Sequence, residues 1–362
     1  MLDRYFTQVE PELLKTLQDI ANKVELQSNF RIYHPEYKLF ELSEEVAANL
    51  QKMPQEIQQK YNCLQLRGFL YGIYYNGHLL NTLSLESDTR ELPNNLENST
   101  FLGIDREFLE QLHHHNAGSG YYDFGWSILQ EKNDSSLIVS KGDLKLRVER
   151  NCHLATVHQS AVVGEVVAIL MPKNLIQKGF YLAVGNAGSH EQTVFIQSQT
   201  KVRIYFNISP GGAIALMETL THQLNSDSIP FILKFLYNPS EYKRYDAGVL
   251  YFDKSQYQAV RQIIKAAYIK HQVHFREEVP LFTKKLMPGL GLAEQPNNQS
   301  GVSESFGENR CQIVANGLLE ATQKKDTSTA GKIQAICQQF ANTKIDLFYP
   351  YLNSDSEDIY AF

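Results

Sequence analysis

The sequence predicts an α+β protein, with a helical N-terminal part followed by a mainly antiparallel β-sheet with flanking helices. Three observations lead there. Apolar residues recur at helical spacing through the first hundred or so positions. From Tyr121 the pattern changes to period-two alternation broken by short polar turns. The stretch Lys201 to Phe252 then reads as strand, helix, strand, turn and strand. The expected division is a helical subdomain over 1–118 and an α+β domain over 119–362.

Leu13, Leu14, Leu17, Ile20, Ala21 and Val24 give one amphipathic helix, with Pro11 near its start. Leu42 to Met53 gives a second, with Ser43 as its N-cap. Pro54 opens a third that continues to Tyr75, where Asn76-Gly77 stops it. The polar stretch 84–100 is a loop, and Asp105 caps a short helix ending at Asn116 and Gly118. WSILQ, SLIVS and DLKLRVER form a β-meander joined by NDSS and KGD turns. EVVAILM and FYLAVGN are more uniformly apolar, hence deeper strands, and VFIQ and VRIYFN continue the sheet. Ser209-Pro210 begins a helix to about Asn225, FILKFLY and VLYF are strands, and Asp253 starts a long helix. Pro and Gly recur through 279–300, which predicts an extended, loop-like crossing. Helices over about 304–323 and 329–342 and an acidic tail close the chain.

Composition narrows the class. The 362 residues are 43% hydrophobic and 20% charged, as in a soluble globular protein. No apolar run approaches the roughly 20 residues a membrane helix needs. The acidic, amphipathic N-terminus is expected to be neither signal nor transit peptide, and Cys63, Cys152, Cys311 and Cys337 form no CxxC pair. A cytoplasmic protein with reduced cysteines is the expectation. A net charge of −6 argues against a general nucleic-acid binder. Residues 200–290 nevertheless hold twelve Lys and Arg against seven Asp and Glu, a balance of +5 that leaves −11 for the remainder. A localised anionic ligand suits that distribution better than a polyanion.

Common catalytic motifs are absent: no GxxxxGK[ST], no GxGxxG after a strand, no HExxH and no GxSxG. Gly211-Gly212 opens a helix whose amides could face an anion, although Pro-Gly-Gly is a common helix start. His113-His114-His115 cannot chelate one ion from a regular helix, where neighbouring side chains diverge by about 100°. Histidines closing a helix instead complement its dipole.

The basic residues carry more. Arg203, Lys234, Lys243, Arg244, Lys284 and Arg310 lie in or just after strands or in the Pro/Gly-rich crossing, interleaved with tyrosines that include Tyr205, Tyr237 and Tyr251. Arg forks grip phosphate oxygens, and a Lys among cations can serve as a base. Each cation alone could pair with a local carboxylate such as Asp246, Glu241, Glu294 or Glu304. As a group they outnumber those carboxylates, which points to a phosphate or carboxylate site.

FYLAVGN, VRIYFN, LMETLT, FILKFLYNPSEYKRYDAGVLYF, VPLFTKKLMPGLGLAEQP and SFGENRCQIVANGLLEA occur in one order. Together they resemble the HopA type III effector family in its cyanobacterial branch, over roughly residues 120–355. The resemblance implies an α+β fold. It also implies a function, because relatives in class V lanthipeptide clusters act as lyases beside a separate kinase. That kinase phosphorylates Ser or Thr of a precursor peptide, and the lyase eliminates phosphate to leave dehydroalanine or dehydrobutyrine. No metal or organic cofactor is required. By motif position, phosphate binding falls to Arg203, Lys234, Arg244 and Arg310. Lys284 is the expected base with Lys234 second, and Tyr237 or Tyr251 would supply the acid or stabilise the enolate. Lys285, Met287 and Gln295 look variable within the family and are left out. The alternative is a non-catalytic effector-like module that binds acidic or phosphorylated segments of a partner. The geometric expectation is that Arg203, Lys234 and Arg244 converge on Lys284 across the sheet.

Overall fold

A computed structural model describes residues 10–85, 100–101, 103–188, 200–297 and 304–362. It is an α+β mixture with a helical N-terminal part and antiparallel sheets. The expected strand VFIQ and most of the loop 84–100 lie outside the described residues.

Helix α1 (Pro11–Lys23) buries Leu13, Leu17, Ile20 and Ala21, the stripe its spacing predicts. After α2 (Glu44–Gln51), whose N-cap Ser43 makes no side-chain capping bond, α3 (Gln55–Leu70) runs into a single π-helical turn, Tyr71–Tyr75. The chain breaks there because Gly77 takes φ +73°, a conformation open to glycine. Asp105 caps α4 (Arg106–His115) by accepting from the Phe108 amide at 2.9 Å. Ser209 caps α5 (Pro210–Ser226) through the Gly212 amide. A 3₁₀ turn precedes α6 (Tyr257–His271). A reciprocal Ser305–Glu308 capping box opens α7 (Phe306–Gln323), and α8 (Thr329–Asn342) follows.

The strands form two main sheets. The strands β1 (Tyr121–Glu131), β2 (Ser136–Lys141), β3 (Leu144–Glu149) and β4 (Val166–Met171) form one sheet in the order β3-β2-β1-β4. It has its own core of Trp126, Ile128, Leu137, Val139 and Val148. The sequence suggested one continuous sheet; instead β4 returns beside β1, and the chain starts a second sheet. That sheet contains β5 (Asn174–Gln177), β6 (Phe180–Val184), β7 (Lys201–Phe206), β8 (Ile232–Leu236), β9 (Gly248–Asp253), β10 (Lys284–Met287) and β11 (Leu290–Glu294). Its order is β10-β11-β7-β9-β8-β6-β5, antiparallel throughout.

The 279–300 region is thus no simple crossing. Its Pro288-Gly289 pair makes the turn of a β10–β11 hairpin, with Gly289 at φ +69°, and adds two strands to the sheet edge. One continuous core joins Leu17, Leu66 and Phe69 of the N-terminal helices to Ile204 and Leu250 of the sheet and Val314 of α7. That core spans position 118. Among the described residues no helix is long and apolar enough to cross a membrane.

Candidate functional site

Register decides which side chains meet. Directly paired residues of antiparallel strands, and residues two apart on one strand, share a face of the sheet. Arg203 on β7 pairs Tyr251 on β9, Val249 pairs Lys234 on β8, and Leu236 pairs Phe180 on β6. Arg203, Tyr205, Tyr251, Lys234 and Phe180 therefore share one face. The other face carries Ile204, Leu233 and Leu250, all fully buried. The polar face is covered by the π-turn and the start of α7, where Tyr75 and Phe306 each lie 6.4 Å from the Tyr205 ring.

Within this crevice the Arg203 guanidinium carbon lies 5.1 Å from the Tyr251 ring centroid. The Lys234 ammonium lies 5.3 Å from the same centroid and 4.5 Å from that of Phe180. Buried Arg203 donates Nε to Gln295 Oε1 at 2.5 Å and approaches the Tyr205 hydroxyl at 3.4 Å. Gln295 is itself held, donating Nε2 to the Glu304 carbonyl and its backbone amide to the Lys201 carbonyl. Among the described residues neither Arg203 nor Lys234 has a carboxylate within ion-pair distance. Burial alone would raise the Tyr251 phenol, but the charges of Arg203 and Lys234 outweigh it and hold the phenol below its ordinary value.

Arg244 borders the same space, with its guanidinium carbon 5.8 Å from the Phe180 centroid. Its charge is spoken for. Nε and Nη2 grip Asp246 at 2.5 and 2.9 Å, and Asp246 also accepts from Asn76 and Tyr71. Burial would raise the Asp246 carboxyl, yet Arg244 holds it below its ordinary range. Local pairing, one of the two readings open for each cation, describes Arg244.

Three expected site residues are engaged in other contacts. Lys284 pairs Leu292, which pairs Ile204, so register puts it on the face opposite Arg203. Its ammonium is bonded to Asp358 at 2.7 Å. The expected convergence on Lys284 does not occur, because strand parity turns it away. Arg310 is 1% exposed and spends its donors inside the protein. Nε bonds the Pro350 carbonyl at 2.7 Å, Nη2 the Leu352 carbonyl at 2.8 Å, and Nη1 the Asn309 side chain at 2.5 Å. Burial lowers its guanidinium to about 10, which leaves it charged at neutral pH. It clamps the 350–352 segment to α7. Tyr237 accepts the Gly179 amide at 2.7 Å and so fastens the β5–β6 turn.

Two contributors were hard to foresee. Gln295, a position that looks variable in the sequence, orients Arg203. The π-turn tyrosines Tyr71 and Tyr75 read only as the end of a helix, and their YGIYY spacing was the one available signal. The Gly211-Gly212 helix start faces His274, whose Nδ1 lies 3.0 Å from Ser209 Oγ. Among the described residues no group of His, Cys, Asp and Glu side chains could hold a metal ion, the three consecutive histidines included.

No curated protein matches the chain. Two solved structures of effector proteins from Pseudomonas syringae resemble it at a TM-score of 0.44. The one from pv. tomato strain DC3000 is 15% identical, over 86% of this chain and 95% of its own. The one from pv. syringae strain 61 is 12% identical, over 94% and 97%. The model of the HopA1 effector protein family matches residues 171–352, half of the chain and the whole segment from β5 to the Arg310-clamped loop. The chain therefore belongs to the HopA1 effector protein family.

Proposed function

We propose that this protein is a phosphoserine/phosphothreonine lyase that eliminates phosphate from a phosphorylated precursor peptide, acting after a separate Ser/Thr peptide kinase. One observation carries the reading: Arg203 and Lys234, without carboxylate partners among the described residues, flank Tyr251 on one face of the sheet. Two such cations suit a phosphate dianion, and each charge-assisted hydrogen bond to it contributes about 1.5–3 kcal/mol.

The same two charges favour the phenolate of Tyr251, which makes it the base in place of Lys284. In the proposed step the phenolate takes the Cα proton and the Cα–H electrons form the Cα=Cβ bond. The Cβ–O bond breaks, and its electron pair leaves with the phosphate held by Arg203 and Lys234. The departing phosphate takes the abstracted proton back from Tyr251, so the products are a dehydroalanine or dehydrobutyrine residue and hydrogen phosphate, and the phenolate is restored. Atoms and charge balance without a redox partner.

The test is incubation of the protein alone with a synthetic phosphoserine peptide, followed by mass spectrometry. Loss of one phosphoric acid equivalent and trapping of the product by an added thiol are expected. A peptide that binds and is recovered unchanged would overturn the lyase reading in favour of the non-catalytic binding module.

A further inference from the structure

A groove of about 660 Å³ lies on the other side of the π-turn from the cationic crevice. Volumes of that order accommodate a drug-sized ligand or a few peptide side chains. Its walls include Tyr37, Tyr74, Tyr245 and Leu281, so aromatic and apolar surface is available. Glu12, Asp19, Glu36, Glu277 and Glu278 also line it, and the two lysines present, Lys284 and Lys285, are bonded to Asp358 and Glu277. Lys23 holds Asp19 and Glu36. Glu12 and Glu278 are exposed and have no ion-pair partner among the described residues.

Groove and crevice share one wall. Ile73 and Tyr74 line the groove, whereas Tyr71 donates to Asp246 and Tyr75 packs on Tyr205 on the crevice side. Tyr245 lines the groove between Arg244 and Asp246, which belong to the crevice. A single helical turn is about 10 Å across, a width that an extended chain covers in on the order of three to five residues.

We propose that this groove binds a stretch of the substrate peptide close to the phosphorylated residue, and that this stretch carries lysine or arginine among apolar residues. The lyase reading above supplies only the choice of peptide. The charge complementarity comes from the groove. Lysine and arginine stems pack on tyrosine and leucine while their cationic heads reach the carboxylates and the tyrosine faces. The cationic crevice and the acidic groove would then read opposite charges on one chain, which also disfavours a peptide bound the wrong way round.

Fluorescence anisotropy with a labelled, unphosphorylated Leu-Lys-Leu-Lys peptide and its Leu-Glu-Leu-Glu counterpart tests this. The lysine peptide should bind in preference, about tenfold more weakly to Glu12→Lys and Glu278→Lys than to the unaltered protein. Glu110→Lys, on the exposed side of α4, should leave binding unchanged and so exclude a mere net-charge effect. Phosphate release from a neutral phosphoserine peptide by Glu110→Lys should match that of the unaltered protein. Equal binding of the two peptides, or indifference of the lysine peptide to both groove substitutions, would overturn the proposal whatever the outcome of the elimination assay.

Discussion

Arg203 and Tyr251 stand directly opposite each other on neighbouring strands, the guanidinium carbon 5.1 Å from the centroid of the phenol ring. Lys234, one strand further on, reaches the same ring at 5.3 Å. A half-buried tyrosine between two cations is placed to ionise, whereas a buried tyrosine beside only one of them is not. Tyr205 shows the contrast: it lies beside Arg203 as well, but burial dominates there and raises its phenol.

Tyr251→Phe keeps the ring and removes the hydroxyl. Elimination from a phosphoserine peptide should fall by about 10²- to 10⁴-fold, the usual contribution of a positioned base. Phosphopeptide affinity should stay within a factor of about three, since the phosphate is assigned to other side chains. The rate should rise with pH as the phenol loses its proton and level off below the ordinary phenol range near 10. Arg203→Gln or Lys234→Gln should move that rise to higher pH by removing a charge that favours the phenolate. A pH–rate profile that is the same in all three proteins removes Tyr251 from the base role.

Lys234→Ala and Lys284→Ala separate the two lysines. Loss of a charge-assisted bond to phosphate is worth about 1.5–3 kcal/mol, so Lys234→Ala should lower kcat/KM by about ten- to a hundredfold. Lys284 makes a partly exposed pair with Asp358, a kind worth about 0–1 kcal/mol, and its substitution should leave kcat/KM nearly unchanged. Steady-state kinetics on one phosphopeptide decides between them, and the reverse ranking would restore Lys284 as the base.

Arg310→Leu should act on stability. It leaves the Pro350 and Leu352 carbonyls buried without their donors, at a cost of about 3 kcal/mol. Urea unfolding should show a lower midpoint. Phosphopeptide binding by the folded fraction should not change. A variant as stable as the parent but deficient in phosphate binding would return Arg310 to the site.

What the sequence disclosed follows from the range of the interactions. Helix caps such as Asp105, Ser209 and Ser305 act within three residues, so they are visible in the chain itself. The cations Arg203 and Lys234 could be singled out because charge in apolar strands is unusual. Their meeting with Tyr251 was not visible, because it depends on the register of β7, β9 and β8, and a shift of one residue sends a side chain to the other face. The groups that hold Lys284 and Arg310 are hidden for the same kind of reason. Their partners, Asp358 and the carbonyls of 350 and 352, lie 40 or more positions away along the chain.

His34 gives a prediction that depends on pH and is independent of the crevice. It is 1% exposed, and its Nδ1 accepts the Glu36 amide at 3.1 Å, which leaves the ring proton on Nε2, 3.0 Å from the Tyr74 hydroxyl. Tyr74 in turn donates to Asp19 at 2.9 Å. Charging the ring requires a proton on Nδ1 and so breaks the bond from Glu36. Burial holds the imidazole below its ordinary 6.5, although the carboxylates of Glu36 and Asp19 pull the other way. The unfolded chain therefore binds this proton more readily than the folded one. The stabilisation is complete above the unfolded value and is lost as pH falls through the lower folded value, with a slope of at most about 1.4 kcal/mol per pH unit. His34→Asn can still accept the Glu36 amide but does not titrate. It should be less stable at neutral pH by about 1 kcal/mol, from the lost Tyr74 bond, and its unfolding free energy should decline less steeply below pH 6.5. Parallel stability curves for the two proteins across that range would show that His34 stays neutral without cost to the fold.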